Sequence, residues 1–134
     1  MRTAVFATLL ALPLFTGCAA ALVAGAIGGL VISEGAVGGT NVYETRINLN
    51  VDKVWPTVKT TLSDTSMETI SVDEMVRMAK ANVDGVSVTV TCEAYDLDKT
   101  VMRTRASKFA GTVNDADMAQ MVQERIVLRL EKLK

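Results

Sequence analysis

The chain has 134 residues, with 14 Lys and Arg against 15 Asp and Glu, a net charge of −1 and a mean hydropathy of +0.28. That length supports one domain with one modest core, and the near-neutral balance excludes the basic footprint of a nucleic-acid binder. Histidine is absent, which excludes His-based triads, imidazole general bases and the common catalytic zinc sites.

Arg2 and the amino terminus make a positive start. Residues 4–15 form an uncharged, mostly apolar run broken only by Thr8 and Pro13. Such a run is short of the roughly 20 residues a bilayer span needs. It matches the apolar region of a secretory signal, and Pro13 fits an end to helix close to a cleavage site. The small residues Thr16 and Gly17 then allow a peptidase to hold the backbone extended.

Phe15-Thr16-Gly17-Cys18 resembles the lipobox of bacterial lipoproteins. In that family the cysteine sulfur is acylated, the preceding peptide is removed and the new amino terminus is acylated as well. The usual Leu three places before the cysteine is replaced by Phe15, with Leu14 one place earlier. The resemblance implies that residues 1–17 are a lipoprotein signal peptide and that Cys18 is the lipid attachment site. One acyl chain holds a protein marginally and several hold it stably, so the expected partner is the bilayer itself. Ala19, rather than Asp, follows the cysteine. By the enteric-type sorting rule this implies the outer membrane, facing the periplasm, rather than the inner membrane.

Cys92 is then left without a partner in the chain. An exposed thiol would oxidise in the periplasm, so Cys92 is expected to be buried.

Residues 18–41 comprise the expected acylated cysteine and an Ala/Gly-rich tract. Gly25-Ala-Ile-Gly-Gly29 recurs ten residues on as Gly35-Ala-Val-Gly-Gly39. The tract reads as a flexible apolar tether, since Gly is a poor helix former. It also reads as a glycine-zipper helix in the membrane, since the small-xxx-small spacing suits close packing in lipid.

Residues 42–134 read as a single folded domain. Tyr43, Thr45, Ile47 and Leu49 alternate with Glu44, Arg46 and Asn48, as in a half-buried strand. Val51, Val54, Trp55, Val58 and Leu62 fall at helical spacing, with Asn50 or Asp52 as cap and Pro56 near the first turn. Met67 to Val72 reads as a short strand with Ile70 and Val72 inward. Met75–Val83 and Val86–Tyr95 flank Asp84-Gly85, a two-residue hairpin signal. That turn sets Val83, Ala81 and Ala79 opposite Val86, Val88 and Val90, and points Cys92 and Ala94 to the same face. A three-residue loop, Leu97-Asp98-Lys99, leads to a strand over Thr100 to Phe109. It pairs Cys92 with Thr104 and Ala94 with Met102, and sets Glu93 opposite Arg103. A four-residue loop would bury Arg103 and Arg105, which charge burial disfavours. Asn114 or Asp115 caps a last helix with an apolar stripe of Met118, Val122, Ile126, Leu130 and Leu133.

The expected class is therefore α+β: an antiparallel sheet of four to five strands with two amphipathic helices on one face, in the order β-α-β-β-β-β-α. A strand leading into Val54-Trp55, the Asp84-Gly85 hairpin and Lys108-Phe-Ala-Gly111 before an acid-started final helix are similar to a family of small bacterial lipoproteins known only as a domain of unknown function. That family implies no catalytic residues.

Asp96 and Asp98 flank a turn where Asp is favoured, Asp115 and Asp117 suit a helix start, and Asp73-Glu74 reads as a solvated turn. No carboxylate pair is set apart for acid–base work, and no metal or cofactor site is expected. Arg103 and Arg105, with Tyr95 nearby, project from the outer sheet face. They are candidates for a contact surface facing anionic headgroups or an acidic partner, or for a plain solvated face. The expected function is a non-enzymatic, membrane-anchored module that binds a cell-envelope protein. The alternative is an accessory that binds or helps transport a lipid or other amphiphile.

Overall fold

The computed structural model describes Gly29 and residues 31–37 and 42–134. Phe15, Thr16, Gly17 and Cys18 lie outside them. Two helices, α1 (Val51–Thr65) and α2 (Ala116–Glu131), cover one face of a seven-stranded antiparallel sheet. The strands are β1 (Val31–Val37), β2 (Val42–Ile47), β3 (Ser71–Asp73), β4 (Met78–Val83), β5 (Val86–Asp96), β6 (Lys99–Lys108) and β7 (Val113–Asn114). They lie in the order β1-β2-β6-β5-β4-β3, and β7 pairs with the end of β6. The α+β class and the two helices on one face stand as expected. The sheet is larger than expected because β1 and β7 add to it.

Strand β1 is the main departure. Residues 31–37 fall within the stretch assigned to the tether, yet they pair with β2 from Val31↔Ile47 to Val37↔Val42. Gly35 sits opposite Glu44 in this strand, so its spacing to Gly39 does not mark a helix face there. The β-branched Val31, Ile32 and Val37 suit a strand. The surrounding Ala and Gly masked that preference.

The core forms where alternation on the sheet meets the helical stripes. Val54, Val58 and Leu62 of α1 and Val122, Ile126 and Leu130 of α2 are all buried against Ala79, Val88, Val90, Met102 and Ala106. Ala facing Val on β4 and β5 leaves room for α1. Asn50 caps α1 by accepting from the Asp52 N–H at 2.7 Å. Asp115 caps α2 by accepting from Met118 N–H at 3.0 Å. Pro56 lies in the second turn of α1 rather than the first, so its missing N–H removes the bond to the Asp52 carbonyl.

The Asp84-Gly85 hairpin has the expected register, Val83↔Val86, Ala81↔Val88 and Ala79↔Val90. Both turn residues have positive φ, 51° and 80°, as a type I′ turn requires. The next hairpin differs. Its turn is Leu97-Asp98, two residues rather than three, with a register shift between Ala94 and Asp96. Cys92 therefore pairs with Met102 and Ala94 with Thr100. The slip is two residues, so every side chain keeps its expected face. Ala94 is exposed beyond the helical cover, while Cys92 is buried as expected.

Two further expectations are corrected at the sheet edge. The strand near residue 70 is only Ser71–Asp73 and is exposed throughout. Val72 is exposed, while Ile70 packs on the core from just outside the strand. Strand β4 starts at Met78, because residues 74–77 form a turn whose last residue, Arg77, has φ 46°. At the other end of the chain, Leu133 lies beyond the last turn of α2 and is exposed.

Candidate functional site

The outer sheet face carries the residues singled out in the sequence. Two polar rungs cross β6 there, each joining β2 to β5. In the first, Arg103 donates from Nε to Glu44 Oε2 at 3.0 Å and from Nη1 to Glu93 Oε2 at 2.6 Å. Glu93 is opposite Val101 rather than Arg103. The ion pair forms all the same, because diagonal neighbours in a sheet remain within reach of long side chains. These hydrogen bonds to Glu93 and then Glu44 hold the guanidinium pKa above its ordinary value.

In the second rung, Arg46 of β2 reaches the Tyr95 ring on β5, 5.5 Å from its centroid. Val101 lies between them in register with both Arg46 and Glu93, and it is buried although it faces away from the helices. With Val101 buried, part of the outer face is packed rather than merely solvated. Arg105 is exposed opposite Thr89. Thus Arg103, Arg105 and Tyr95 do share a face, but the charge of Arg103 is already compensated by two carboxylates. An anion seated there would have to displace them.

A second cluster joins the β3–β4 turn to α1. Glu74 accepts from Trp55 Nε1 at 2.5 Å and from Lys59 Nζ at 2.6 Å. Lys59 also lies over the Trp55 ring at 5.4 Å. The hydrogen bond from Lys59, then that from Trp55, pulls the Glu74 pKa below its ordinary value. Asp73 folds the turn by accepting from Met75 N–H at 3.0 Å. The turn is solvated as expected, with Asp73 and Glu74 both exposed, and Glu74 in addition ties it to the single tryptophan. Proximity of Asp73-Glu74 to Trp55 is a long-range fact with no local signal.

Three buried polar side chains lie where α2 covers β2 and β6. Thr45, Thr104 and Gln123 are fully buried, and their polar side-chain atoms have no hydrogen-bond partner among the described residues. Gln123 falls among the buried residues of α2, a position its polarity hides in sequence. Thr100, by contrast, donates to the Leu49 carbonyl at 2.7 Å.

At the opposite end from the β5–β6 turn, Phe109 and Ala110 both have positive φ, 51° and 55°. With Gly111, at φ 93°, they form a tight left-handed turn closed by the Thr112 N–H donating to the Phe109 carbonyl at 3.3 Å. Phe109 is exposed at the rim of a shallow cavity of about 340 Å³ shared with Glu68, Lys80, Asn82 and Ser107.

Burial pushes the Cys92 thiol up to about 12, so it stays protonated and is a poor nucleophile. Asp96 accepts from the Leu97 N–H at 2.8 Å and lies 3.9 Å from Lys99, which is turn chemistry. Among the described residues no three His, Cys, Asp or Glu side chains converge as a metal site. None of their helices is long and apolar enough to cross a membrane.

The fold and these surfaces define a two-layer α+β module whose described polar chemistry lies mainly in paired surface charges. No protein-family model matches the chain, and no curated protein matches it.

Proposed function

We propose that the protein is a lipoprotein of the bacterial cell envelope, held to the outer membrane by acyl chains on Cys18. Its α+β domain faces the periplasm and acts as a non-enzymatic module that binds an envelope protein. The observation that carries this reading is Phe15-Thr16-Gly17-Cys18 at the end of a short uncharged run. Residues 19–30 separate Cys18 from β1. Fully extended, that stretch keeps the domain within about 45 Å of the anchor. The paired charges of the outer face and the inert Cys92 thiol support recognition over catalysis. The cluster of buried apolar side chains between helices and sheet supports binding at the surface over carriage of an amphiphile inside.

Intact mass of membrane-extracted protein beside a Cys18→Ser variant tests the anchor. The expected result is loss of residues 1–17 and added acyl mass in the native chain only. An unmodified thiol in a membrane-free native protein overturns it. Crosslinking in intact envelopes tests the partner, and a consistently partner-free monomer counts against that part.

A further inference from the structure

We propose that the end of the domain from which β1 starts rests on the bilayer, with three turn or terminal segments inserting apolar side chains into its surface. This rests on the lipid anchor proposed above.

Antiparallel pairing places the start of β1 at the same end as the β5–β6 turn, because Val31 pairs with Ile47, Ile47 with Thr100, and Thr100 with Ala94. The β3–β4 turn reaches the same end, since the Cys92 N–H donates to the Arg77 carbonyl at 3.0 Å. The carboxyl end of α2 arrives there as well. The first residues of α1 and those just before it touch all three. Asn50 donates to the Leu97 carbonyl at 2.6 Å, and Arg77 lies 3.4 Å from Asp52. Leu49 and Lys53 share a cavity of about 180 Å³ with Leu130, Leu133 and Lys134.

Each segment carries large apolar side chains into water. Met75 is 95% exposed, Leu97 83% and Leu133 71%, with Val76 and Tyr95 exposed beside them. Among the described residues, five of the ten large exposed hydrophobic ones thus gather at one end. Turn tips ordinarily carry Gly, Asn, Asp, Pro or Ser. Single apolar side chains on a surface need no explanation, whereas a grouping of them marks an interaction site. A lipid surface is the occupant that fits. The chain ahead of β1 is uncharged and mostly apolar from Ala19 to Leu30, and β1 begins at this end. Three separated tips suit a planar surface that each enters shallowly, as amphipathic side chains do at the headgroup boundary. Insertion of apolar tips, unlike headgroup pairing, is insensitive to salt.

The test uses the full acylated protein in vesicles of phosphatidylethanolamine and phosphatidylglycerol. Cysteines introduced one at a time, as Met75→Cys, Leu97→Cys and Leu133→Cys, carry an environment-sensitive dye, and Asp84→Cys at the opposite end is the control. The expected result is a blue shift and quenching by spin-labelled lipid at the three tips, persisting in high salt, with neither at position 84. The triple variant Met75→Asp, Leu97→Asp, Leu133→Asp should stay anchored and folded, and the tether-proximal end should lose protection from hydrogen exchange that vesicles otherwise confer. Equal, weak quenching at all four positions in protein whose acylation is verified by mass overturns this inference and leaves the anchor standing. Crosslinking of the tips to a protein or to a second copy, without lipid quenching, also overturns it. Absence of acyl mass overturns the anchor reading instead.

Discussion

Glu74 shows how one exposed carboxylate organises a corner of the molecule. It holds the indole N–H of the only tryptophan and the ammonium of Lys59 together. Glu74→Gln should loosen the turn over residues 74–77 and shift Trp55 fluorescence to the red, readable without any label. In the native protein the same shift should appear on acidification, at a pH below the ordinary glutamate value of 4.5, because the neighbours lower the Glu74 pKa. A transition unchanged by Glu74→Gln would show that another group controls it.

Gln123 poses the opposite case, a buried amide whose two polar atoms lack a partner among the described residues. A buried unsatisfied polar group is worth about 1–3 kcal/mol of lost stability. Gln123→Met keeps a similar shape and removes both atoms. It should raise stability by about 1 kcal/mol or more, seen as a higher urea midpoint. A fall would show that the amide is bonded in solution.

At the scale of the element, caps and turns give separable effects. Asn50 closes the start of α1 and also holds the β5–β6 turn through the Leu97 carbonyl. Asn50→Ala should lower stability by about 1–2 kcal/mol, with the loss visible in both thermal and urea unfolding. Ala110 occupies the left-handed region at φ 55°, where a side chain costs about 1 kcal/mol. Ala110→Gly should be neutral or stabilising by up to about 1 kcal/mol, since glycine also adds freedom to the unfolded chain. A marked loss of stability would mean that the Ala110 methyl has a packing role.

The same scale shows what the sequence made legible. Asp84-Gly85 announces its turn type, and the turn fixes register over the β4–β5 pair. The β5–β6 hairpin has no such dipeptide, and an irregularity at Tyr95 absorbs the difference between a two-residue and a three-residue turn. Face could be read there from the alternation of Thr89, Thr91, Arg103 and Arg105, while register could not. Helix stripes predicted Val54, Val58, Val122 and Ile126 as core, and all four are buried. Strand β1 was hidden by its Ala/Gly surroundings, since Gly and Ala favour no strand on their own. The outer-face group of Arg103, Arg105 and Tyr95 was visible from strand parity. The Arg103–Glu93 pair was expected from the β5–β6 hairpin, as a directly opposed pair rather than the diagonal one found, whereas Glu44 and Arg46, which complete the two rungs, follow only from knowing that β2 lies beside β6.

For the whole molecule, acid is the informative perturbation. Glu74 and Asp115 both have lowered pKa values, Asp115 through the hydrogen bond from Lys108 and then that from the Met118 N–H. In acid the unfolded chain therefore binds protons that the folded chain does not. Their contribution is full above the ordinary values of 4.5 and 3.8 and is lost as the pH falls through and below them. Urea midpoints should therefore hold steady down to about pH 5 and fall progressively below it, through about pH 3. The Glu74→Gln, Asp115→Asn double variant should show a shallower acid decline. An equally steep decline in that variant would assign the acid sensitivity elsewhere.

The antiparallel seam between β1 and β2 also sets how the body would respond to force. A pull on the residues ahead of Val31, resisted at the far end of the sheet, acts along the strand axis. It loads the hydrogen bonds from Val31↔Ile47 to Val37↔Val42 together in shear, instead of peeling them one by one. The edge strand would thus double as a mechanical clamp, one that must slide as a unit before the sheet can open.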